Sequence, residues 1–151
     1  QMSCFMTFDP DGYEHFDNLE ELCYELYYLR DALEKEFAED TAHSQKWGNV
    51  RSTGHCAVVA LIVQKIYGGD LVSCAMPTGS HWFNRISDGD ELHDVDLTGD
   101  QFGLNPVQVA VPDTLYGDTR VRSLEEVSPE TFKRANLLAN RANLPFSISN
   151  A

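Results

Sequence analysis

Nowhere does the chain hold the roughly 20 consecutive apolar residues that a bilayer-spanning helix requires. Basic side chains are scarce: 11 Lys and Arg stand against 24 Asp and Glu, a formal charge of -13. Binding to nucleic acid, or to an anionic membrane surface, draws on cations that neutralise phosphate, so both partner classes are set aside. Cysteine is sparse as well. Cys4, Cys23, Cys56 and Cys74 are too widely spaced for a tight disulfide framework, and no Cys-x-x-Cys pair is there to build a zinc finger. Reduced thiols in a cytoplasmic protein are the expectation. The opening residues Gln1–Thr7 lack the basic start and long apolar run of a secretory signal. No repeat, low-complexity tract or linker divides the sequence. It reads as one domain over residues 1–151, with 1–15 its loosely ordered start.

What is present suits a packed α+β domain. Apolar residues make up 42% of the 151 and charged residues 23%, enough for a core and too few charges for wholesale disorder. Between Phe16 and Phe37, the residues Leu19, Leu22, Cys23, Leu26, Leu29, Leu33 and Phe37 recur at three- and four-residue steps, the stripe of an amphipathic helix. Asp17 and Glu20 stand at capping-box spacing near its start. Residues 38–51 break the pattern and read as a loop. The run from His55 to Gln64 is almost wholly apolar and closes on Gly68-Gly69. This predicts a helix buried on nearly every side, with Ser52 or Thr53 as its N-cap. Strand patterns follow at Asp70–Met76, Ser80–Ile86 and Glu91–Leu97, and Gln108–Val111 offers a fourth. Asp88-Gly89 joins the second and third of these as a hairpin signal. Ser128-Pro129-Glu130 opens a last helix that stops before Pro145. Helices before and after an antiparallel sheet indicate α+β rather than a doubly wound parallel fold.

Three residues stand where chemistry would need them. Cys56 lies at the start of the buried helix, where the helix dipole and free backbone N–H groups favour a thiolate and could stabilise an oxyanion. His81 opens the second strand of the hairpin and Asp96 closes the third. A turn centred on Asp88-Gly89 sets these two opposite each other, close enough for a carboxylate to hold an imidazole. Such a Cys-His-Asp set activates a thiol and fixes the tautomer of its base. Asp94, two residues from Asp96 on the same strand face, competes for the role of acid. Metal binding by Cys56, His81, His93 and Asp94 or Asp96 is the rival chemistry. It lacks close paired spacing, and adjacent His93 and Asp94 point to opposite strand faces.

The quoted residues also carry a resemblance. Gly54-His55-Cys56-Ala57-Val58-Val59-Ala60-Leu61-Ile62-Val63-Gln64, then Gly79-Ser80-His81-Trp82-Phe83-Asn84-Arg85, then Asp96-Leu97-Thr98-Gly99-Asp100-Gln101-Phe102-Gly103 resemble three motifs of the YunG-like family of small bacterial proteins. The likeness spans about Trp47 to Gly103. It implies a papain-like or transglutaminase-like domain, with the nucleophile's helix packed on a small antiparallel sheet. It also implies nucleophilic Cys56, base His81 and acid Asp96. The chain carries His55 before the cysteine, where the family leads one to expect a residue such as glutamine.

Together these readings point to a cysteine-dependent amide or acyl hydrolase, or an acyl transferase to an amine, working through a thioester. No cofactor and no metal are called for. Gln45 and Trp47 on the preceding loop, Trp82 beside the base, and Gln101 after the third strand are the candidate substrate contacts. The acidic field favours a neutral or cationic peptide, protein or small amide. The alternative is a non-catalytic binding module that uses the same cleft to hold a peptide, protein or small molecule.

Overall fold

The longest apolar run in the chain becomes a central helix because nothing in it can face water. In the computed structural model, which describes residues 2–3, 13–43, 50–77 and 79–148, this helix spans Cys56–Tyr67 and buries Val58 through Val63 without a break. It is the second of three α-helices among the described residues, α1 being Tyr13–Glu34 and α3 Pro129–Arg141. The predicted stripe of α1 is the face it buries: Leu22, Cys23, Leu26, Leu29 and Leu33 all enter the core. Each such side chain contributes about 1.5–3 kcal/mol of transfer free energy, against the entropy of ordering it. The helix begins ahead of the predicted start, so Asp17 and Glu20 lie inside it rather than forming a capping box. Phe37 is buried beyond its end, and residues 38–51 hold a short 3-10 turn at Glu39–Thr41.

A six-stranded antiparallel sheet provides the other layer. Its strands are β1 (Met2–Ser3), β2 (Asp70–Met76), β3 (Gly79–Ser87), β4 (Leu92–Asp96), β5 (Gln108–Ala110) and β6 (Arg120–Arg122), in the order β1-β5-β4-β3-β2-β6. The α+β expectation holds, and two short edge strands, β1 and β6, join the four that the sequence suggested. The turn from α2 into β2 needs glycine at position 69, where φ is +78° and a Cβ would stand 2.4 Å from the Arg85 carbonyl oxygen.

Alternation along the strands divides the sheet into two faces. Leu71, Ile86, Val95 and Val109 pack into the main core with the helices, and Asn84 Nδ2 donates to the Ala60 carbonyl of α2 at 2.9 Å. Val72, Cys74 and Phe83 form a smaller cluster on the other face, covered by Met76 and Tyr116. His81 shares that second face, since its cross-strand partner is Cys74.

The β3–β4 register differs from the one expected of a tight Asp88-Gly89 turn. Arg85 pairs with Asp94 and Ser87 with Leu92, because the connection is a four-residue turn closed by Asp88 N–H to the Glu91 carbonyl at 3.0 Å. Asp88 also accepts from the N–H groups of Asp90 and Glu91 and is 2.8 Å from His93 Nε2. That carboxylate-centred closure outcompetes the two-residue hairpin. In this register Asp96 falls opposite Phe83, two positions along β3 from His81 and on the same face.

Candidate active site

Cys56 is the first residue of α2, and the residue before it, His55, is the N-cap. Neither Ser52 nor Thr53 takes that place. The Ser52 hydroxyl is spent elsewhere, donating to Asp100 Oδ1 at 2.6 Å. The His55 ring makes no capping bond either: its Nε2 is 2.7 Å from Thr41 Oγ1, its Nδ1 3.2 Å from the Thr53 carbonyl, and it stacks on Phe37 at 4.3 Å. The N–H groups of the first turn of α2, which have no intrahelical acceptor, thus lie beside Cys56 without a bond from the N-cap side chain. Both ring nitrogens of His55 are engaged in those contacts, which leaves the ring no free N–H for an oxyanion.

Burial pushes His55 down to about 4, against hydrogen bonds to backbone carbonyls that raise it. A folded-state value below the ordinary 6.5 means that the neutral ring stabilises the fold above pH 6.5, and that this is lost as pH falls through about 4. His55→Gln should flatten the acid-side decline of stability by about 2–3 kcal/mol, read as the difference between the two proteins' urea-unfolding free energies across that interval.

His81 is the centre of the site. It is buried, and its Nε2–H donates to Asp96 Oδ2 at 2.8 Å, while the Cys56 side chain is near enough to raise the proton affinity of the ring. With Nε2 held by the carboxylate, Nδ1 is the nitrogen left for the sulfur. Burial alone would lower the imidazolium's pKa, but the bonds to Asp96 and Cys56 outweigh it and push His81 up to about 10. The ring sits among aromatic neighbours: Phe102 meets it edge-on at 4.7 Å, Tyr116 at 5.1 Å, and Phe83 lies 6.1 Å away.

Asp96 is the acid that reaches His81, across the strand diagonal rather than directly opposite. Its other oxygen accepts from the Thr98 N–H at 2.9 Å and from Thr98 Oγ1 at 3.1 Å. Asp94, the competing acid, is committed elsewhere. It takes Arg85 in a two-point ion pair at 2.7 and 3.2 Å and accepts the Asp113 N–H at 2.8 Å. Arg85 reaches Asp113 as well, at 3.0 Å. This clamp ties the segment after β5 down onto the sheet, and the same segment delivers Tyr116, whose hydroxyl donates to Asp96 Oδ2. Tyr116 gave no signal in the sequence, because it stands in a polar loop 20 residues beyond its carboxylate partner.

The remaining candidates divide. Gln101 lies in the 3-10 turn Gly99–Phe102 that follows β4, its Nε2 buried without a hydrogen-bond partner among the described residues. Trp82 turns to the opposite face of β3 from His81, packs against the main core and carries Arg122 over its ring at 5.2 Å. The structure does not bring it together with Cys56. Gln45 and Trp47 lie outside the described residues. Cys56 and Cys74 are free thiols, the first partly exposed and the second buried, and Cys23 is buried in the core. Burial first, then the Asp96 and Cys56 charges, push the Cys74 thiol up to about 11. No group of three or more His, Cys, Asp or Glu side chains is disposed to hold a metal ion among the described residues. No helix there is long and apolar enough to cross a membrane.

In comparisons with known proteins, residues 25–144 match the sequence model of the family described as YunG protein. No curated protein and no solved structure matches.

Proposed function

The chain belongs to the YunG family, and we propose that it is a cysteine-dependent amide or acyl hydrolase, or an acyl transferase to an amine, with the relay Cys56–His81–Asp96. The observation that carries this reading is one buried imidazole that holds a buried carboxylate at 2.8 Å and lies close enough to a thiol at a helix start for that group to raise its proton affinity. In this reading the Cys56 proton passes to His81 Nδ1 and the sulfur attacks a carbonyl carbon. First-turn N–H groups of α2 receive the developing oxyanion. His81 then returns the proton to the departing amine or alcohol, leaving an acyl thioester. Water or an amine attacks that thioester while His81 takes its proton, and the thiol is restored. Asp96 holds the ring in one tautomer and balances the imidazolium.

A helix-borne cysteine, a base from one strand and an acid from its neighbour is the arrangement expected of a papain-like or transglutaminase-like enzyme, and the α+β layering supports that reading. The charge of -13 favours neutral or cationic peptides, proteins or small amides over anionic substrates. A reducing, cytoplasmic setting suits a thiol nucleophile.

Iodoacetamide labelling near neutral pH, mapped by peptide mass spectrometry, tests the reading. Cys56 should be modified fastest, and Cys56→Ala should lose that label while keeping its fold. His81→Ala leaves the sulfur at least as exposed, so exposure alone predicts an unchanged rate. The relay predicts at least a tenfold fall. Faster modification of Cys23 or Cys74, or an unaltered rate in His81→Ala, would leave the non-catalytic binding module as the better account.

A further inference from the structure

The hydroxyl of Tyr116 is given to the same oxygen, Asp96 Oδ2, that holds His81 Nε2. The other oxygen of Asp96 is already fixed by two bonds from Thr98, so the carboxylate does not need Tyr116 to stay in place. What the phenol changes is how strongly Oδ2 holds the imidazole proton, because an acceptor shared by two donors binds each less tightly. The loop that brings Tyr116 is itself pinned by the Arg85–Asp94–Asp113 clamp, so its reach to Asp96 is built into the fold. Among the described residues, the titratable groups around His81 are Cys56 from α2, Cys74 from β2, Asp96 from β4 and Tyr116 from this loop. Tyr116 stays protonated well above the usual tyrosine range, through burial first and then the charge of Asp96 and its bond to it, so it acts only as a donor.

We propose that Tyr116 is a positioning residue of the relay, loosening the grip of Asp96 on the His81 proton so that the imidazolium can hand it to a leaving group. This rests on the reading of Cys56, His81 and Asp96 given above. The aromatic wall of Tyr116, Phe102 and Phe83 keeps water from the ring, and the phenol adds the electronic adjustment that phenylalanine would lack.

The test follows the Hε1 resonance of His81 with pH in the wild type, Tyr116→Phe and Tyr116→Leu. In Tyr116→Phe the ring packing stays and one donor to Oδ2 is lost, so the His81 midpoint should rise by about one pH unit, the scale of a single hydrogen bond. In Tyr116→Leu the opened wall admits water, and the midpoint should fall below that of Tyr116→Phe. A second readout is the ratio of Cys56 labelling by anionic iodoacetate to that by neutral iodoacetamide. This ratio is high while the neighbouring imidazolium is charged, and its collapse should move to higher pH in Tyr116→Phe. A purely structural role would lower the melting temperature without moving either readout. A wild-type midpoint in the ordinary imidazole range would overturn the relay and the Tyr116 role together. A raised wild-type midpoint that is unchanged or lower in Tyr116→Phe would overturn the Tyr116 role alone.

Discussion

Asp96→Asn should bring the pH at which His81 releases its proton down from about 10 to the ordinary range near 6.5 or below. With the carboxylate gone, the burial that disfavours a charged ring is opposed only by the bond to Cys56. A folded-state value raised above the unfolded one gives stability that is fully present below pH 6.5 and is lost as pH rises through about 10. Urea unfolding of the wild type should therefore show this alkaline decline, and the Asn variant should lack it. At neutral pH the variant should be less stable by about 3 kcal/mol, because a buried imidazole and the Tyr116 and Thr98 donors lose a charged acceptor. Its Cys56 should lose the preference for iodoacetate over iodoacetamide. Acylation by an activated ester should fall by roughly 10²–10⁴-fold, the span of a general-base contribution. A His81 midpoint that stays near 10 in the variant would mean that Asp96 does not hold the ring, and the relay would have no acid.

Arg30→Met should cost about 3 kcal/mol and lower the melting temperature by roughly 6–12 °C. Arg30 is a buried charge on α1 with four separate attachments. It donates to the Leu97 carbonyl at 2.6 Å, to both oxygens of Asp100 at 3.1 and 2.9 Å, and to Glu34 at 2.7 Å, and it lies over the Phe37 ring at 5.4 Å. Asp100 keeps its Ser52 bond when the guanidinium is removed, and it is partly exposed, which holds the cost to the lower end of the range for a broken buried pair. Burial raises the Asp100 carboxyl, but the Arg30 and Ser52 bonds outweigh it and hold the group below the usual range. Its stabilising share is present above about pH 4 and is lost on acidification. Arg30→Lys should recover only part of the loss, since a point charge cannot serve a carbonyl and a two-oxygen acceptor at once. Differential scanning calorimetry decides it, and a midpoint within a degree or two of wild type would remove Arg30 from this role. The network also touches the relay indirectly. Leu97 adjoins Asp96, Ser52 lies just ahead of α2, and Phe102, on the same turn as Asp100, abuts His81.

Much of the architecture was legible because it depends on neighbours in the chain. The stripe of α1 and the unbroken apolar run of α2 state their own burial. The limits of β2 come out as read, and those of β3, β4 and α3 come out within a residue or two. The contact of His81 with Asp96 shows how a local pattern can survive a wrong register. A turn longer than expected moved Asp96 off the position opposite His81, yet kept it on the same sheet face, where the diagonal distance is still within reach of two polar side chains. Arg30 was hidden by the same logic that revealed the stripe. A charged residue in an amphipathic helix reads as solvated, and the Leu97–Phe102 segment, folded back from the end of β4, gives it the long-range partners that bury it.

The scarcity of basic side chains is a property of composition, fixed with the sequence and the same however the chain folds. So are the helical and strand periods and the candidate cysteine, histidine and aspartate. What the tertiary structure decided is which polar groups meet. It gave Asp96 rather than Asp94 to His81, because Arg85 and the Asp113 backbone took Asp94. It withheld Ser52 from the helix start, because Asp100 claimed its hydroxyl. It also placed Tyr116 on the acid's free oxygen lone pairs. Hydrogen-bonding groups take the partners that the fold brings near them in space, so their pairing is settled by the fold's long-range contacts and not by spacing along the chain.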